Sequence, residues 1–238
     1  MGNFLFKYRG QIPVLLFLLV IPFIFNTDYT SFSKETIQIN KTISIIISFF
    51  GMSVRFYTVG KTPAGTSGRN RKKQIATKLN TKGIYSITRN PLYFGNYLIW
   101  LGISIYSLNN FFTIILSIFF FIYYGKIIKT EEEYLLNKFG NTYLDWRNKT
   151  PKFFPSFNSY KNNKYSFSLK TVLKREYSSV LATVFSFFYI NTLVNIKINS
   201  SNLINKQWLI TLLVTTLVTL ILRTIKKNTN LLDQKGRT

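Results

Sequence analysis

In the stretch "GIYSITRNPLYFGNYLIWLG", Gly83 to Gly102, a polar turn becomes an apolar run. Arg89, Asn90 and Pro91 stand at the changeover, with Tyr85, Tyr93 and Gly95 close by. A helix that only crosses a bilayer needs apolar residues there. A guanidinium, an amide and two phenols gathered at the entry point instead to chemistry at the interface. Pro91 suits a first helical turn, where its missing N–H costs nothing. A helix start also presents free N–H groups and a partial positive charge, to which Arg89 adds a full one. Such a place can hold an anionic group.

The chain has only eight acids, and three are consecutive: Glu131, Glu132 and Glu133. Read as the end of a membrane helix, the triplet opposes the helix macrodipole, which disfavours negative charge at a C-terminus. It is either a solvated charge run or part of a site. The short connection "NNFF", Asn109–Phe112, decides where it falls by joining two apolar runs as an antiparallel hairpin. Pro91 and Ile128 each lie about 18 residues from that turn, roughly 27 Å along a helix. Arg89–Gly95 and Lys126–Glu133 are therefore expected to meet side by side.

The elements that carry these residues are read from hydropathy. Of the 238 residues, 47% are hydrophobic and 17% aromatic, and the apolar ones fall in blocks. Candidate spans are Ile12–Phe25, Ile43–Val59, Leu92–Leu108, Phe111–Ile128, Ser178–Val194 and Trp208–Leu222, against about 20 residues for a bilayer core. The first follows Lys7 and Arg9 but lacks a small-residue cleavage pattern after it, so an anchor helix is expected rather than a secretory signal. The net charge of +23 raises the question of nucleic acid. Alternating the chain through six spans answers it. Of the 31 Lys and Arg, 25 fall in the segments on the side of the N-terminus, and only Lys34, Lys41, Lys197 and Lys206 in the opposite ones. That is positive-inside asymmetry, and it suits a surface of anionic lipid. The expected fold is an all-α polytopic membrane protein of about six transmembrane helices, with no nucleic-acid partner. Both termini and the Arg89 end are expected to be cytoplasmic, at the plasma (inner) membrane. The chain has no cysteine and no histidine, which excludes disulfides, thiolate nucleophiles, the usual zinc sites and histidine bases; no metal is expected.

"VGKTPAGTSGRNRKK", Val59–Lys73, is not a nucleotide-binding loop, because Arg55 stands where the Walker pattern needs glycine. Its Thr66, Ser67, Arg69, Arg71 and Lys72 suit either an anionic head group or simply a positive-inside loop, and Arg69 and Arg71 are the candidate substrate-binding residues. Tyr97 and Trp100 read as an interfacial aromatic belt. Tyr85 and Tyr93, flanking Arg89–Pro91, read as pocket residues.

"GIYSITRNPLYFGNYLIWLG" followed by "EEEYLLNKFGNTYLDWRNKTPKFFP" resembles the isoprenylcysteine carboxyl methyltransferase family, within the wider phospholipid methyltransferase group. The family pattern of Gly-x-Tyr, Arg-His-Pro-x-Tyr-x-Gly, Glu-Glu-x-x-Leu, Phe-Gly-x-x-Tyr and a late Pro falls on Gly83, Tyr85, Arg89, Pro91, Tyr93, Gly95, Glu131, Glu132, Leu135, Phe139, Gly140, Tyr143 and Pro151. The family's His is Asn90 here, which keeps a donor and an acceptor but carries no charge. The likeness is tight over 83–155 and extends to the first two spans in layout only. The segment Gly60–Thr81 is similar to the loop of a bacterial subgroup with lipid A phosphate as a proposed substrate.

The resemblance implies a membrane methyltransferase core over 1–177, built on a helical hairpin, followed by a two-helix extension over 178–238. It implies S-adenosylmethionine as methyl donor, bound by Tyr85, Asn90, Pro91, Tyr93, Gly95, Glu131 and Glu132. Arg89 and Glu132 are then the catalytic candidates, and a lipid or lipidated molecule is the acceptor. In-line methyl transfer needs alignment more than a proton shuttle. A carboxylate or phosphate oxygen is already nucleophilic at neutral pH, whereas an amine must first lose a proton. O-methylation is the expectation, with phospholipid N-methylation and a non-catalytic membrane protein on the same scaffold as the alternatives.

Overall fold

Side-chain caps set most helix boundaries. The computed structural model describes residues 4, 5, 8, 12–66 and 76–237. The described helices are α1 (Ile12–Phe25), α2 (Lys34–Lys61), α3 (Pro91–Ile105), α4 (Asn110–Lys149), α5 (Leu169–Lys197) and α6 (Lys206–Asn228). Ser33, Asn109, Ser168 and Asn205 each accept a backbone N–H in the first turn of α2, α4, α5 and α6. The helix α3 opens on Pro91 with Asn90 before it. Among the described residues every regular element is helical.

Five of the six expected spans lie within one of these helices, while the third, Leu92–Leu108, runs past the end of α3 at Ile105. Four of them, α2, α4, α5 and α6, are long and apolar enough to cross a membrane. The 14-residue α1 and 15-residue α3 fall short of that. At 1.5 Å per residue they reach about 21–23 Å, against a hydrocarbon core of about 30 Å. Large apolar side chains face outward in belts, among them Phe49, Phe111, Ile114, Ile210, Leu213 and Leu217. Apolar surface of that extent is what lipid-facing helices present. The protein is an integral membrane protein.

One core joins five helices: Val20 and Ile24 of α1, Met52 of α2, Ile99 and Ile103 of α3, Leu116 of α4, and Phe187, Ile190 and Val194 of α5. The α2–α3 contact is the most extensive, and small residues line it. A Cβ on Gly102 would lie 2.2 Å from Ser48 Oγ and 2.4 Å from the Ser44 carbonyl oxygen. Small residues at such contacts let backbones approach where there is no hydrophobic drive between helices. The outer helix α6 packs on α5, with the Trp208 ring stacked on Phe187 at 5.3 Å.

The glutamate triplet is not at a helix end. The helix α4 continues past it to Lys149, because nothing in "KIIKTEEEYLLNKF" breaks a helix. The interruption comes at Gly140, with φ 52° and ψ −127°, a conformation open essentially to glycine alone. The last turns of α4 are thereby redirected toward the start of α3.

The two ends of the bundle differ. One end carries Asn109, whose amide donates to Thr27 Oγ1 at 2.9 Å. The other end gathers the C-terminus of α2, the start of α3 and the C-terminal segment, where Ala64 N–H donates to the Gly236 carbonyl at 3.0 Å. Reporter fusions at Asn110 and at the C-terminus are expected to lie on opposite sides of the membrane. The same side for both would refute this layout.

Candidate active site

The hairpin brings the two motifs together. Arg89 Nη1 lies 3.1 Å from Glu132 Oε1, and the Tyr93 hydroxyl donates to Glu131 Oε1 at 3.0 Å. Glu133 turns outward and is exposed. Helical spacing explains the division, since consecutive residues do not share a face. Below the carboxylates, the Tyr93 ring packs on Tyr124 at 4.9 Å. Tyr97 and Trp100 sit deeper, each 5.2 Å from the Phe120 ring. These two residues, expected in an interfacial belt, thus belong to an aromatic layer between α3 and α4.

A strap crosses the start of α3. Residues 151–156 run beside 87–90, where Arg89 N–H donates to the Pro151 carbonyl at 2.9 Å and Ser156 N–H to that of Ile87 at 2.9 Å. The Thr88 hydroxyl donates to the Phe153 carbonyl at 2.8 Å. The Asn90 amide, in the N-cap position, does not cap α3; it donates to the Lys152 carbonyl at 2.8 Å. The Phe153 ring closes on Phe121 at 5.2 Å and Phe94 at 5.9 Å. Asn90 therefore ties the strap down beside the site. The Trp146 indole N–H, beyond the kink of α4, donates to the Tyr85 carbonyl at 2.9 Å and fixes the 83–86 turn.

The charges beneath the strap are nearly dry. Only 10% of the Arg89 side chain and 17% of that of Glu132 is exposed. Their contact has the distance of an ion pair without the alignment of a hydrogen bond. Arg89 Nε and Nη1, Glu132 Oε1 and the Tyr143 hydroxyl are all buried without an aligned hydrogen-bond partner, although the Arg89 guanidinium lies within interaction range of the Tyr143 oxygen and leaves its O–H free to donate. Tyr143 lies in the last turns of α4, past the apolar stretch. Burial pushes its phenol up, with the Glu132 charge adding to the effect and Arg89 opposing it.

The other expected site residues fall in different places. Pro91 is buried at the start of α3. Gly95 faces α2: a Cβ there would lie 2.7 Å from Arg55 Cγ and 2.8 Å from the Gly51 carbonyl oxygen. Its glycine serves helix packing. Arg69 and Arg71 lie outside the described residues. Sequence reasoning left Tyr143 out of the site, although it quoted the motif that contains it. It also missed the pair on the far face of α3, where Arg55 Nε and Nη2 bind Glu176 Oε2 and Oε1, each at 2.9 Å. Asn96 accepts from the same guanidinium. An acid beside an apolar run is a signal for such a partner, but hydropathy begins the fifth span at Ser178, beyond Glu176.

An antiparallel helical hairpin with paired glutamates facing an arginine at a proline-started helix defines a class, and residues 41–142 match the family model described as phospholipid methyltransferase. The resemblance read from the motifs is borne out over that segment. The chain is 31% identical over 120 residues to the cobalt-zinc-cadmium resistance protein CzcN of Cupriavidus metallidurans, across 50% of this chain and 54% of that one. It is 32% identical over 95 residues to the protein-S-isoprenylcysteine O-methyltransferase of Schizosaccharomyces pombe, across 37% and 40%. It is 30% identical over 121 residues to protein-S-isoprenylcysteine O-methyltransferase B of Arabidopsis thaliana, across 47% and 61%. The chain thus aligns with 40–61% of the length of these relatives. No solved structure matches it.

Proposed function

We propose that the chain is an S-adenosylmethionine-dependent membrane O-methyltransferase that acts on a carboxylate or phosphate oxygen of a lipid or lipidated acceptor. The observation that carries this reading is the Arg89–Glu132 pair with its unpartnered buried atoms. Donors and an acceptor left open at one point fit a ligand end that bears both charges, as the amino-acid end of S-adenosylmethionine does. The family match and the two methyltransferase relatives support the same class. The name of CzcN concerns metals, yet among the described residues no group of three or more acids is arranged to hold an ion.

When bound, S-adenosylmethionine supplies an electrophilic methyl group on a sulfonium. The chain's own residues do the rest. Arg89 holds a carboxylate and Glu132 an ammonium, each by charge-assisted hydrogen bonds. Glu131, fixed by the Tyr93 hydroxyl, adds negative charge beside the faces of Tyr93 and Tyr124, which favour a cation. The Phe153 strap keeps water from the reacting centre. The basic end of the bundle faces the cytoplasmic leaflet of the plasma (inner) membrane and its anionic lipids. Arg69 and Arg71 are the candidates for the acceptor's head group.

The test is transfer of labelled methyl from S-adenosylmethionine in membranes that contain the chain, followed by identification of the product. Label released as methanol by mild base marks a carboxyl ester, label on a phosphate oxygen a phosphoester, and base-stable label on nitrogen the alternative of phospholipid N-methylation. In the same preparations, Glu131→Ala and Glu132→Ala are expected to weaken binding of S-adenosylmethionine, and Glu133→Ala to leave it unchanged. No transfer above that of membranes lacking the chain would refute the enzyme reading and leave the non-catalytic one.

A further inference from the structure

Six buried side-chain polar atoms lack a hydrogen-bond partner among the described residues. Two, on Asn40 and Asn80, are isolated; the other four belong to Arg89, Glu132 and Tyr143. Native interiors leave few such atoms open, so four in one cluster mark a place that something else completes. The charges restrict what that is. Arg89 and Glu132 cancel, so a bare anion would have to displace Glu132 and a bare cation Arg89. A ligand end that is neutral overall but carries an ammonium and a carboxylate on one carbon exchanges one poorly aligned internal pair for two aligned external ones.

We infer that Tyr143 is a third anchor for the amino-acid end of the cofactor, its hydroxyl donating to the carboxylate beside Arg89 while Glu132 receives the ammonium. The inference rests on the methyltransferase reading above. Tyr143 is the least exposed of the three, at 1%. Its position is set from two sides. The Gly140 backbone turns the end of α4 toward α3, and Trp146, whose ring lies 5.8 Å from that of Tyr143, is bonded to the Tyr85 carbonyl. The raised phenol keeps its proton at neutral pH and remains a donor.

The experiment titrates the purified full chain in detergent with S-adenosylhomocysteine and with 5′-methylthioadenosine, which has the same nucleoside and a thioether but no amino-acid end. Tyr143→Phe keeps the ring and its contact with Trp146. It is expected to weaken S-adenosylhomocysteine about tenfold, as for one buried hydrogen bond, and to leave 5′-methylthioadenosine unchanged. Unchanged affinity for S-adenosylhomocysteine overturns the role of Tyr143 and leaves the methyltransferase reading standing. Equal losses for both compounds also overturn it, because the effect is then on pocket shape. No binding of S-adenosylhomocysteine by the wild type removes both readings.

Discussion

Arg89→Ala is expected to lower methyl transfer by about one to two powers of ten. A charge-assisted contact of a guanidinium with a carboxylate contributes roughly 1.5–3 kcal/mol. The substitution also leaves Glu132 uncompensated beneath the strap, with 17% of its side chain exposed. Arg89→Lys keeps the charge but loses the planar fork, including the Nε that lies buried and open in this structure. Partial rescue is therefore expected. An arginine that served only as a positive-inside anchor would be replaced fully by lysine. Turnover of wild type, Arg89→Lys and Arg89→Ala at matched membrane expression separates the two, and wild-type turnover in Arg89→Lys would leave the anchor role alone.

The meeting of Arg89 with Glu132 was legible in the sequence because it depends on counting. Two helices leave one short turn, rise by a fixed amount per residue, and bring equal distances from the turn side by side. The outward turn of Glu133 followed from the same periodicity. What depends on chain reversals was not legible. The strap of 151–156 is held largely by backbone groups, on which side-chain identity says little. Gly140 reads as an ordinary helical glycine until its φ is known. Gly95 shows the converse difficulty. The resemblance puts Gly95 among the cofactor-binding residues, whereas the neighbour that needs the absence of its side chain is α2. The charge asymmetry gave the basic end of the bundle, but Arg55 and Glu176 appeared in it as unrelated residues 121 positions apart.

Breaking the Arg55–Glu176 pair from one side should be strongly destabilising. Arg55 and Glu176 keep 10% and 3% of their side chains exposed, and the carboxylate takes two guanidinium nitrogens, with Asn96 and Ser179 completing the network. Breaking a buried pair from one side costs about 3–5 kcal/mol, because the remaining charge is left in a poor solvent. Replacing both members by apolar residues of similar volume is often close to neutral. Glu176→Ala is thus expected to lower the Tm of the detergent-solubilised chain by on the order of ten degrees. The double variant Arg55→Met/Glu176→Met should recover most of that loss. Because Arg55 also holds Asn96 of α3, the single variant should loosen the helix that carries Arg89 and Tyr93. Thermal unfolding of wild type, both single variants and the double variant gives the coupling directly. Additive losses would mean that α5 is held to α2 and α3 by its apolar face alone, through Phe187, Ile190 and Val194.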